Sequence, residues 1–271
     1  MQQHFSLHKI YEEESFSFSA ADYSKFKFGD GGISATFGTD LAKGFIKEIL
    51  CKEKPTKQIV VISSPYSFIP TATFAMKNYF IFELNKWLAN ESLPVVQETK
   101  IHRTITYKED YGELDAAERI KLIGNDGFHI DKIFLEGKLL IFLDDIKITG
   151  GHERMINKMI EAYGIKNECW FLYFAELLNK DIHPRIENYL NYFSVKSIFD
   201  LPLIINKSDF FINTRLVKYI LNSDSDDFKK FLLKVDINFI NLLYNMALGN
   251  GYHTIDAYKG NLNILVSANN L

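Results

Sequence analysis

Two adjacent carboxylates, Asp144 and Asp145, follow an apolar run at 139–143 and precede a Thr-Gly-Gly turn at 149–151. The apolar run predicts a buried strand, and the segment that begins at His152 predicts a helix. In open parallel sheets ligands bind outside the carboxyl ends of the strands, so the two acids lie where a ligand would bind. Carboxylates accept hydrogen bonds strongly, and the neighbouring hydroxyls of a ribose could donate charge-assisted bonds of roughly 1.5–3 kcal/mol each.

The turn after the acids has the chemistry of a phosphate site. Its backbone N–H groups are exposed, glycine permits close approach, and the following helix N-terminus adds partial positive charge. The segment therefore predicts a site for a sugar phosphate. The alternative is a buried strand of another doubly wound protein, in which Asp144 and Asp145 only cap a helix.

This order of apolar residues, two acids and a Thr-Gly turn resembles the signature by which type I phosphoribosyltransferases hold phosphoribosyl pyrophosphate (PRPP). The resemblance implies that Asp144 and Asp145 hold the 2- and 3-hydroxyls of the ribose, while 146–152 wraps the 5-phosphate. Two positions depart from the family pattern. Ile148 stands where Thr or Asp is common and cannot assist a proton transfer, and His152, where Thr or Ala is frequent, could instead donate to the phosphate. The residues expected to bind this part of PRPP are Asp144, Asp145, Lys147, Thr149, Gly150, Gly151 and His152.

A second polar loop, 63–67, follows the predicted strand 58–62. In phosphoribosyltransferases the loop after the first core strand binds pyrophosphate, and the resemblance assigns this role to Ser63, Ser64 and Tyr66. The alternative is a plain strand-to-helix connection in which the serines form the turn and cap the helix.

Basic residues collect at the end of the predicted strand 95–103, where Lys100 and Arg103 lie. Because departing pyrophosphate develops negative charge, positioned cations would stabilise the transition state, and these two residues are the predicted catalytic groups. The family has a mobile loop here, which 104–112 resembles in placement. The alternative is a solvated strand end whose charges serve solubility.

The resemblance covers about 58–174 and implies an α/β fold with a parallel-sheet phosphoribosyltransferase-type core, N-terminal additions and a mainly α-helical C-terminal appendage. We expect an α/β domain over 1–178 and the appendage over 179–271. The appendage could cover the base-binding side, dimerise or dock a partner. Helices are predicted over 34–50, 71–88 and 153–163, and strands over 15–19, 58–62, 95–103, 139–143 and 169–174.

A narrower resemblance is to a bacterial subgroup found near tellurite-resistance and stress genes. It rests on 23–29, 111–114, Glu118-Arg119 and 149–153, and it implies Lys25, Lys27 and Arg119 as further site residues. In the appendage, the run Asn213-Thr214-Arg215 inside an apolar stretch either faces a pocket or caps a helix and adds a surface charge.

Composition excludes several functional classes. The chain has 271 residues, 47% of them hydrophobic, and a net charge of -3, so there is no global basic field for nucleic acid. Cys51 and Cys169 are far apart without a paired motif, which argues against a disulfide framework or a cysteine zinc site. No secretory signal is evident, and the longest apolar block, 169–175, is far shorter than a membrane helix. A cytoplasmic protein is expected.

The predicted activity is a Mg²⁺-dependent phosphoribosyltransferase that transfers the phosphoribosyl group of PRPP to a nitrogen nucleophile and releases pyrophosphate. Mg²⁺ would be carried by the pyrophosphate oxygens without direct protein ligands. The expected partners are PRPP and a small-molecule acceptor, and a homodimer would be common for the family. Two alternatives remain: a non-enzymatic sensor of PRPP or a nucleotide, and a receiver-like domain that uses the acid pair for Mg²⁺.

Overall fold

A computed structural model describes residues 2–103 and 128–269. Its centre is a five-stranded sheet in which every neighbouring pair is parallel. The strands of this sheet are β1 (Gln2–Ile10), β2 (Ile59–Ser63), β3 (Gln97–Glu98), β6 (Leu139–Lys147) and β7 (Cys169–Leu177). Their order is β1-β7-β6-β2-β3, and a separate antiparallel pair consists of β4 (His102–Arg103) and β5 (Phe128–His129).

Helices cover both faces of this sheet, as the apolar runs of β2 and β6 require in a parallel sheet. Alternate strand residues, such as Ile141 and Phe142, enter separate apolar clusters on the two faces. One face packs against α1 (Ala20–Lys27), α2 (Gly31–Phe45, continued by a π-helical turn at Ile46–Leu50) and α3 (Ala72–Asn90). The other face packs against α4 (Lys132–Leu135) and α5 (Gly151–Ala162).

Close packing of α2 against α3 depends on Gly38. A Cβ atom at this position would lie 2.2 Å from the carbonyl oxygen of Met76 and 2.9 Å from the backbone nitrogen of Phe80. Glycine thus lets the two backbones approach where any side chain would collide with main-chain atoms.

The C-terminal region is helical and has its own apolar cluster, which Phe28 and Ile69 join from the N-terminal part of the chain. The predicted boundary near residue 178 stays a prediction. The helices here are α6 (Ile186–Asn191), α7 (Pro202–Ile205), α8 (Thr214–Leu221), α9 (Ser225–Leu232), α10 (Ile237–Gly249) and α11 (Asp256–Asn269), with 3-10 turns at Ile198–Asp200 and Tyr252–Thr254.

The predicted fold class is confirmed, and β2, α2, α3, α5 and β7 lie within a few residues of their predicted bounds. Two predicted strands are wrong. Segment 15–19 forms no strand, because Phe16 and Phe18 pack against other rings, Phe18 against Phe174, rather than alternating on a sheet. Segment 95–103 is not continuous: the chain leaves the sheet after β3, and Ile101 is buried in the cluster on the α5 face.

Candidate active site at the carboxyl end of the central strand

The two acids lie on β6 beyond the point where β2 ends. Pairing of β2 with β6 stops at Ser63 and Leu143, whereas pairing of β6 with β7 continues to Lys147 and Glu176. The expectation that the strand ends before the acids is therefore wrong, because β7 holds β6 in extended form for four more residues. Successive strand residues point to opposite faces, so the two side chains leave β6 on opposite sides, and one hydroxyl, that of Thr73, lies 3.3 Å from an oxygen of each carboxylate.

Asp144 turns toward α5 and is held by three side-chain donors. Its carboxylate accepts from the Ser64 hydroxyl at 2.6 Å and from Nδ1 of His152 at 2.9 Å, and the Thr73 hydroxyl lies at 3.3 Å. Burial raises the pKa of Asp144, but the hydrogen bond and charge of His152, with the Ser64 hydroxyl, hold that pKa well below its ordinary value.

His152 shows the reciprocal effect. Burial lowers the pKa of its imidazole, but the hydrogen bond and negative charge of Asp144, together with the charge of Glu187, raise the pKa above its ordinary value. The positive charge of Arg103 lowers the pKa of His152. This predicted catalytic residue is therefore close enough to the His152–Asp144 pair to interact with it electrostatically. The carboxylate is therefore paired with an imidazole that favours the protonated state.

Asp145 turns toward α1 and is paired with a lysine. The ammonium of Lys27 forms an ion pair with Asp145 Oδ2, the Tyr23 hydroxyl donates to the same oxygen at 2.5 Å, and the Thr73 hydroxyl lies 3.3 Å from Oδ1. Lys27 is only 8% exposed and Asp145 only 5%. Burial, then the charge of Asp145, raise the pKa of Tyr23 far above its ordinary value, so the phenol stays a donor.

The C-terminal region anchors the helix that carries Tyr23 and Lys27. Asn213 caps α8 through the backbone N–H of Leu216, and its Nδ2 donates to the carbonyl of Lys27 at 3.2 Å. Further bonds join Ser24 Oγ to the Asn191 carbonyl at 2.8 Å, Phe211 N to the Gly29 carbonyl at 2.9 Å and Lys207 Nζ to Asp30 at 2.6 Å. The capping interpretation of the Asn-Thr-Arg run is thus correct for Asn213, whose amide also donates to the last residue of α1.

The predicted phosphate turn lies at the N-terminus of α5. Gly150 has a positive φ of 69°, and Arg154 donates to the carbonyl of Thr149 at 2.7 Å. Lys147 points elsewhere: its ammonium pairs with Glu153 at 2.8 Å and Glu176 at 3.2 Å. Burial lowers the pKa of Lys147, but the two carboxylates raise it by more, so the net shift is upward. This cation is therefore paired with a carboxylate cluster beside the turn.

The predicted pyrophosphate loop meets the predicted catalytic cations. Ser64 links the loop to the acid pair, and Ser63 lies beside it at the end of β2, 8% exposed. The ammonium of Lys100 lies 3.8 Å from the centre of the Tyr66 ring and donates to the Ser67 carbonyl at 2.5 Å. The backbone N–H of Arg103 donates to the Tyr66 carbonyl at 3.4 Å. Burial lowers the pKa of Lys100.

A shallow, open cleft joins these elements on the α5 face of the sheet. Its floor is apolar and comes from β2, β6 and β7. Its polar lining consists of Ser63, Ser64, Asp144, His152, Glu153 and Tyr173. The structure thus brings together one acid, a serine loop and the first turn of a helix around a single opening.

The family model for "PRTase ComF-like" proteins matches residues 1–265. The chain belongs to this family. The recognised likeness to phosphoribosyltransferases is therefore confirmed, and the match extends over the helical C-terminal region as well as the sheet. A search of curated proteins finds no match.

Solved structures similar to this PRTase ComF-like chain include hypoxanthine phosphoribosyltransferases. A Staphylococcus aureus enzyme has 12% identity, covers 54% of this chain and 67% of its own, and gives a TM-score of 0.34. An L. donovani hypoxanthine-guanine enzyme has 12% identity, coverage of 54% and 73%, and a TM-score of 0.33. A Trypanosoma cruzi enzyme in complex with the product IMP has 15% identity, coverage of 55% and 72%, and a TM-score of 0.33.

Within residues 2–103 and 128–269, no helix is long and apolar enough to cross a membrane, and no group of three or more His, Cys, Asp or Glu side chains could hold a metal ion. The predicted loop 104–112 and Arg119 lie outside the described residues.

Local sequence patterns do not identify Tyr23 and Thr73 as partners of the two acids, and they indicate Lys27 only through the narrower resemblance. Tyr23 and Lys27 are four residues apart and therefore lie on one helix face. This spacing indicates that the two side chains could bind the same group, but it does not identify Asp145 as that group. Lys25, from the same helix, instead lies 3.8 Å from Asp22 and is largely exposed.

Proposed function

We propose that this PRTase ComF-like protein binds PRPP with Mg²⁺ and transfers its phosphoribosyl group to a nitrogen nucleophile, releasing pyrophosphate. The observation that carries the proposal is the convergence of the acid pair, the Thr149-Gly150 turn and the Ser64 loop at one end of the sheet. Family membership supports the same chemistry.

In this proposal the acids hold the ribose hydroxyls, and the turn with the first N–H groups of α5 holds the 5-phosphate. Oδ2 of Asp145 receives both Tyr23 and Lys27, whereas Oδ1 receives the Thr73 hydroxyl at 3.3 Å. Because a carboxylate oxygen has two acceptor positions, Oδ1 retains capacity for a ribose hydroxyl.

Ser63, Ser64 and Tyr66 would hold the pyrophosphate, with Lys100 and Arg103 beside them. As the bond to pyrophosphate breaks, negative charge develops, and cations aimed at it lower the barrier. Lys100 already lies on the Tyr66 ring, and Arg103 is bonded to the backbone of the same residue. Most of the catalysis would come from positioning and electrostatics.

Mg²⁺ fits this site as a companion of the substrate. The ion prefers oxygen ligands and usually keeps substrate phosphates and water in its coordination sphere. Lys27 and His152 balance the two acids, and no three-residue metal cluster occurs in the described residues, so substrate oxygens would supply most ligands. When bound, the ion would neutralise charge on pyrophosphate.

Calorimetric titration with Mg²⁺-PRPP tests the binding step. Wild-type protein should show saturable binding, and Asp144→Asn should weaken it at least tenfold while leaving the Lys27–Asp145 pair in place. Asp256→Asn changes an exposed acid of α11 with a side chain 92% exposed and serves as the matched control. Circular dichroism should report the same fold for all three proteins. Absence of saturable binding to a folded wild-type protein contradicts the proposal.

The second candidate is a non-enzymatic sensor of PRPP or a nucleotide. It is favoured by the bonds between the C-terminal region and α1, such as Asn213 to the carbonyl of Lys27, because α1 also carries the partners of Asp145. A ligand that moves Asp145 would then act on contacts of the C-terminal helices. Saturable PRPP binding without pyrophosphate release for any acceptor would favour this candidate over the enzyme.

A further inference from the structure

The loop that follows β2 is bonded along its backbone to the helical C-terminal region. Asn250, directly after α10, accepts through Oδ1 from the backbone N–H groups of Phe68 at 3.0 Å and Ile69 at 3.1 Å. Thr214, the first residue of α8, donates from its hydroxyl to the carbonyls of Ile69 at 2.8 Å and Pro70 at 3.1 Å. Its backbone N–H also donates to the Pro70 carbonyl, at 2.9 Å. Two helices of the C-terminal region thus hold three consecutive loop residues.

These contacts are buried and closely packed. Asn250 is 6% exposed and Ile69 is 1% exposed. A Cβ atom at Gly249 would lie 2.3 Å from ring atoms of Phe68, so the ring rests directly on the end of α10. Because buried backbone N–H and C=O groups must be paired, 68–70 cannot leave Asn250 and Thr214 without loss of free energy.

The opposite end of the same loop is bonded to the candidate active site. Ser64 donates to Asp144 at 2.6 Å, and the carbonyl of Tyr66 accepts from the backbone N–H of Arg103 at 3.4 Å. The polar residues assigned to pyrophosphate therefore lie in a segment that is held at both ends. Donors held in one arrangement before the ligand binds do not lose conformational freedom when it does, and this favours affinity.

Thr214 also connects the loop to the second acid through its sequence neighbour. Asn213 donates to the carbonyl of Lys27 at 3.2 Å, and Lys27 is the ion-pair partner of Asp145. Consecutive residues at the start of α8 are thus bonded to the pyrophosphate loop and to α1. The C-terminal region therefore fixes the position of the loop relative to the partners of Asp145.

We propose that Thr214 and Asn250 are positioning residues that hold the loop in the conformation that binds the pyrophosphate of PRPP. This inference rests on the proposed binding of PRPP. The two side chains act through the backbone of 68–70, while Ser63, Ser64 and Tyr66 contact the pyrophosphate. A loop that has lost one of these bonds is in the binding conformation for a smaller fraction of the time, and the apparent Kd rises by the reciprocal of that fraction.

Thr214→Val tests this role, because valine has the shape of threonine and keeps the backbone bond to Pro70 but lacks the hydroxyl. Calorimetric titrations with Mg²⁺-pyrophosphate and with ribose 5-phosphate examine the two halves of the site separately. We expect the Kd for Mg²⁺-pyrophosphate to rise about three- to tenfold and that for ribose 5-phosphate to stay within about twofold of wild type. Thr214→Ser, which keeps the hydroxyl, should restore the affinity for pyrophosphate.

Thr254→Val is the matched control. The Thr254 hydroxyl also donates to a backbone carbonyl, that of Gly251 at 2.7 Å, but Thr254 is exposed and this bond lies within its own turn. Its affinity for both probes should equal that of the wild type. An affinity of Thr214→Val for pyrophosphate equal to that of Thr254→Val would overturn the inference. An equal loss of affinity for both probes would also overturn it, because Thr214 would then support the fold as a whole.

Amide hydrogen exchange of the wild type gives a second test that does not depend on the folding of a variant. If the bonds to Asn250 favour pyrophosphate binding, bound pyrophosphate must favour these bonds in turn. Exchange of the Phe68 and Ile69 amides should slow by at least about threefold at saturating Mg²⁺-pyrophosphate and stay unchanged with ribose 5-phosphate. Unchanged exchange with pyrophosphate bound would overturn the inference, as would a wild type that binds Mg²⁺-PRPP but not Mg²⁺-pyrophosphate. Failure of the wild type to bind PRPP would instead overturn the proposed function.

Discussion

The ammonium group of Lys27 and the carboxylate of Asp145 form a buried ion pair between residues 118 positions apart, with side chains 10% and 8% exposed. Removing either charge from water costs several kcal/mol. The buried pair is tolerated because the two charges neutralise each other and because the Tyr23 hydroxyl donates a further hydrogen bond to the Asp145 carboxylate. The ion pair therefore links helix α1 to strand β6, and replacing only one of its two residues should lower the free energy of unfolding.

Lys27→Met should lower the free energy of unfolding by about 3–5 kcal/mol, because Asp145 would be left buried without its counter-charge. Urea denaturation followed by circular dichroism measures this loss. Lys25→Met is the matched control on the same helix, where an exposed pair with Asp22 at 3.8 Å should contribute at most about 0.5 kcal/mol.

Combining Lys27→Met with Asp145→Asn should recover a large part of that stability, since the uncompensated charge disappears while Tyr23 keeps an acceptor. A single Lys27→Met variant as stable as the Lys25→Met control would contradict the assignment of a buried ion pair.

The His152–Asp144 pair should make stability depend on pH. Because folding raises the pKa of His152, the pair contributes fully below the unfolded imidazole pKa of about 6.5, and the contribution is lost as pH rises through the higher folded value. The free-energy difference between wild type and His152→Asn should therefore be larger at pH 5.5 than at pH 9, as urea denaturation at both values would measure. A difference independent of pH would show that the dyad does not hold the extra proton.

Much of the site could be predicted from local sequence. The acids, the Thr149-Gly150 turn and the Ser64 loop are each adjacent in sequence to an apolar strand, and parallel strands bring their carboxyl ends to one edge. These local patterns identified β2, β6 and β7 and the helices α2, α3 and α5 beside them, but not β1.

The partners of the acids could not be predicted in this way. Tyr23 and Lys27 reach Asp145 only because α1 packs on one face of β6, and the length of β6 beyond Leu143 depends on its pairing with β7. Helix periodicity gives the face of α1 but not its position along the sheet. A local pattern carries no information on a contact made across 118 residues.

Asn213→Ala should cost more than an ordinary capping substitution. The side chain caps α8 through Leu216 and also donates from its buried amide to the carbonyl of Lys27, so loss of the cap and of the second bond should total roughly 2–3 kcal/mol. Asp224→Ala removes an exposed cap of α9 whose side chain bonds only to the first turn of its own helix, and it should cost less than Asn213→Ala. Urea denaturation of the two variants gives the comparison. Equal losses would indicate that the bond to α1 contributes nothing.

Gly38→Ala tests the contact between α2 and α3, the helix that carries Thr73. A Cβ atom at Gly38 would lie 2.2 Å from the Met76 carbonyl oxygen, so the helices must separate, and the free energy of unfolding should fall by about 3 kcal/mol or more. Gly260, exposed in α11, is the control, because nothing lies within 4 Å of its added Cβ and alanine there should stabilise by about 0.5–1 kcal/mol.

The same Gly38→Ala protein should bind Mg²⁺-PRPP more weakly if α3 positions Thr73, whose hydroxyl lies 3.3 Å from both Asp144 and Asp145. Calorimetric titration measures the PRPP affinity of both glycine variants. The affinity of Gly260→Ala should equal that of the wild type, so a loss seen only in Gly38→Ala is specific to the contact between α2 and α3. Unchanged stability of Gly38→Ala would mean that the two helices lie farther apart than the backbone contact at Met76 indicates. Lower stability with unchanged PRPP affinity would mean that Thr73 does not depend on this contact for its place between the two acids.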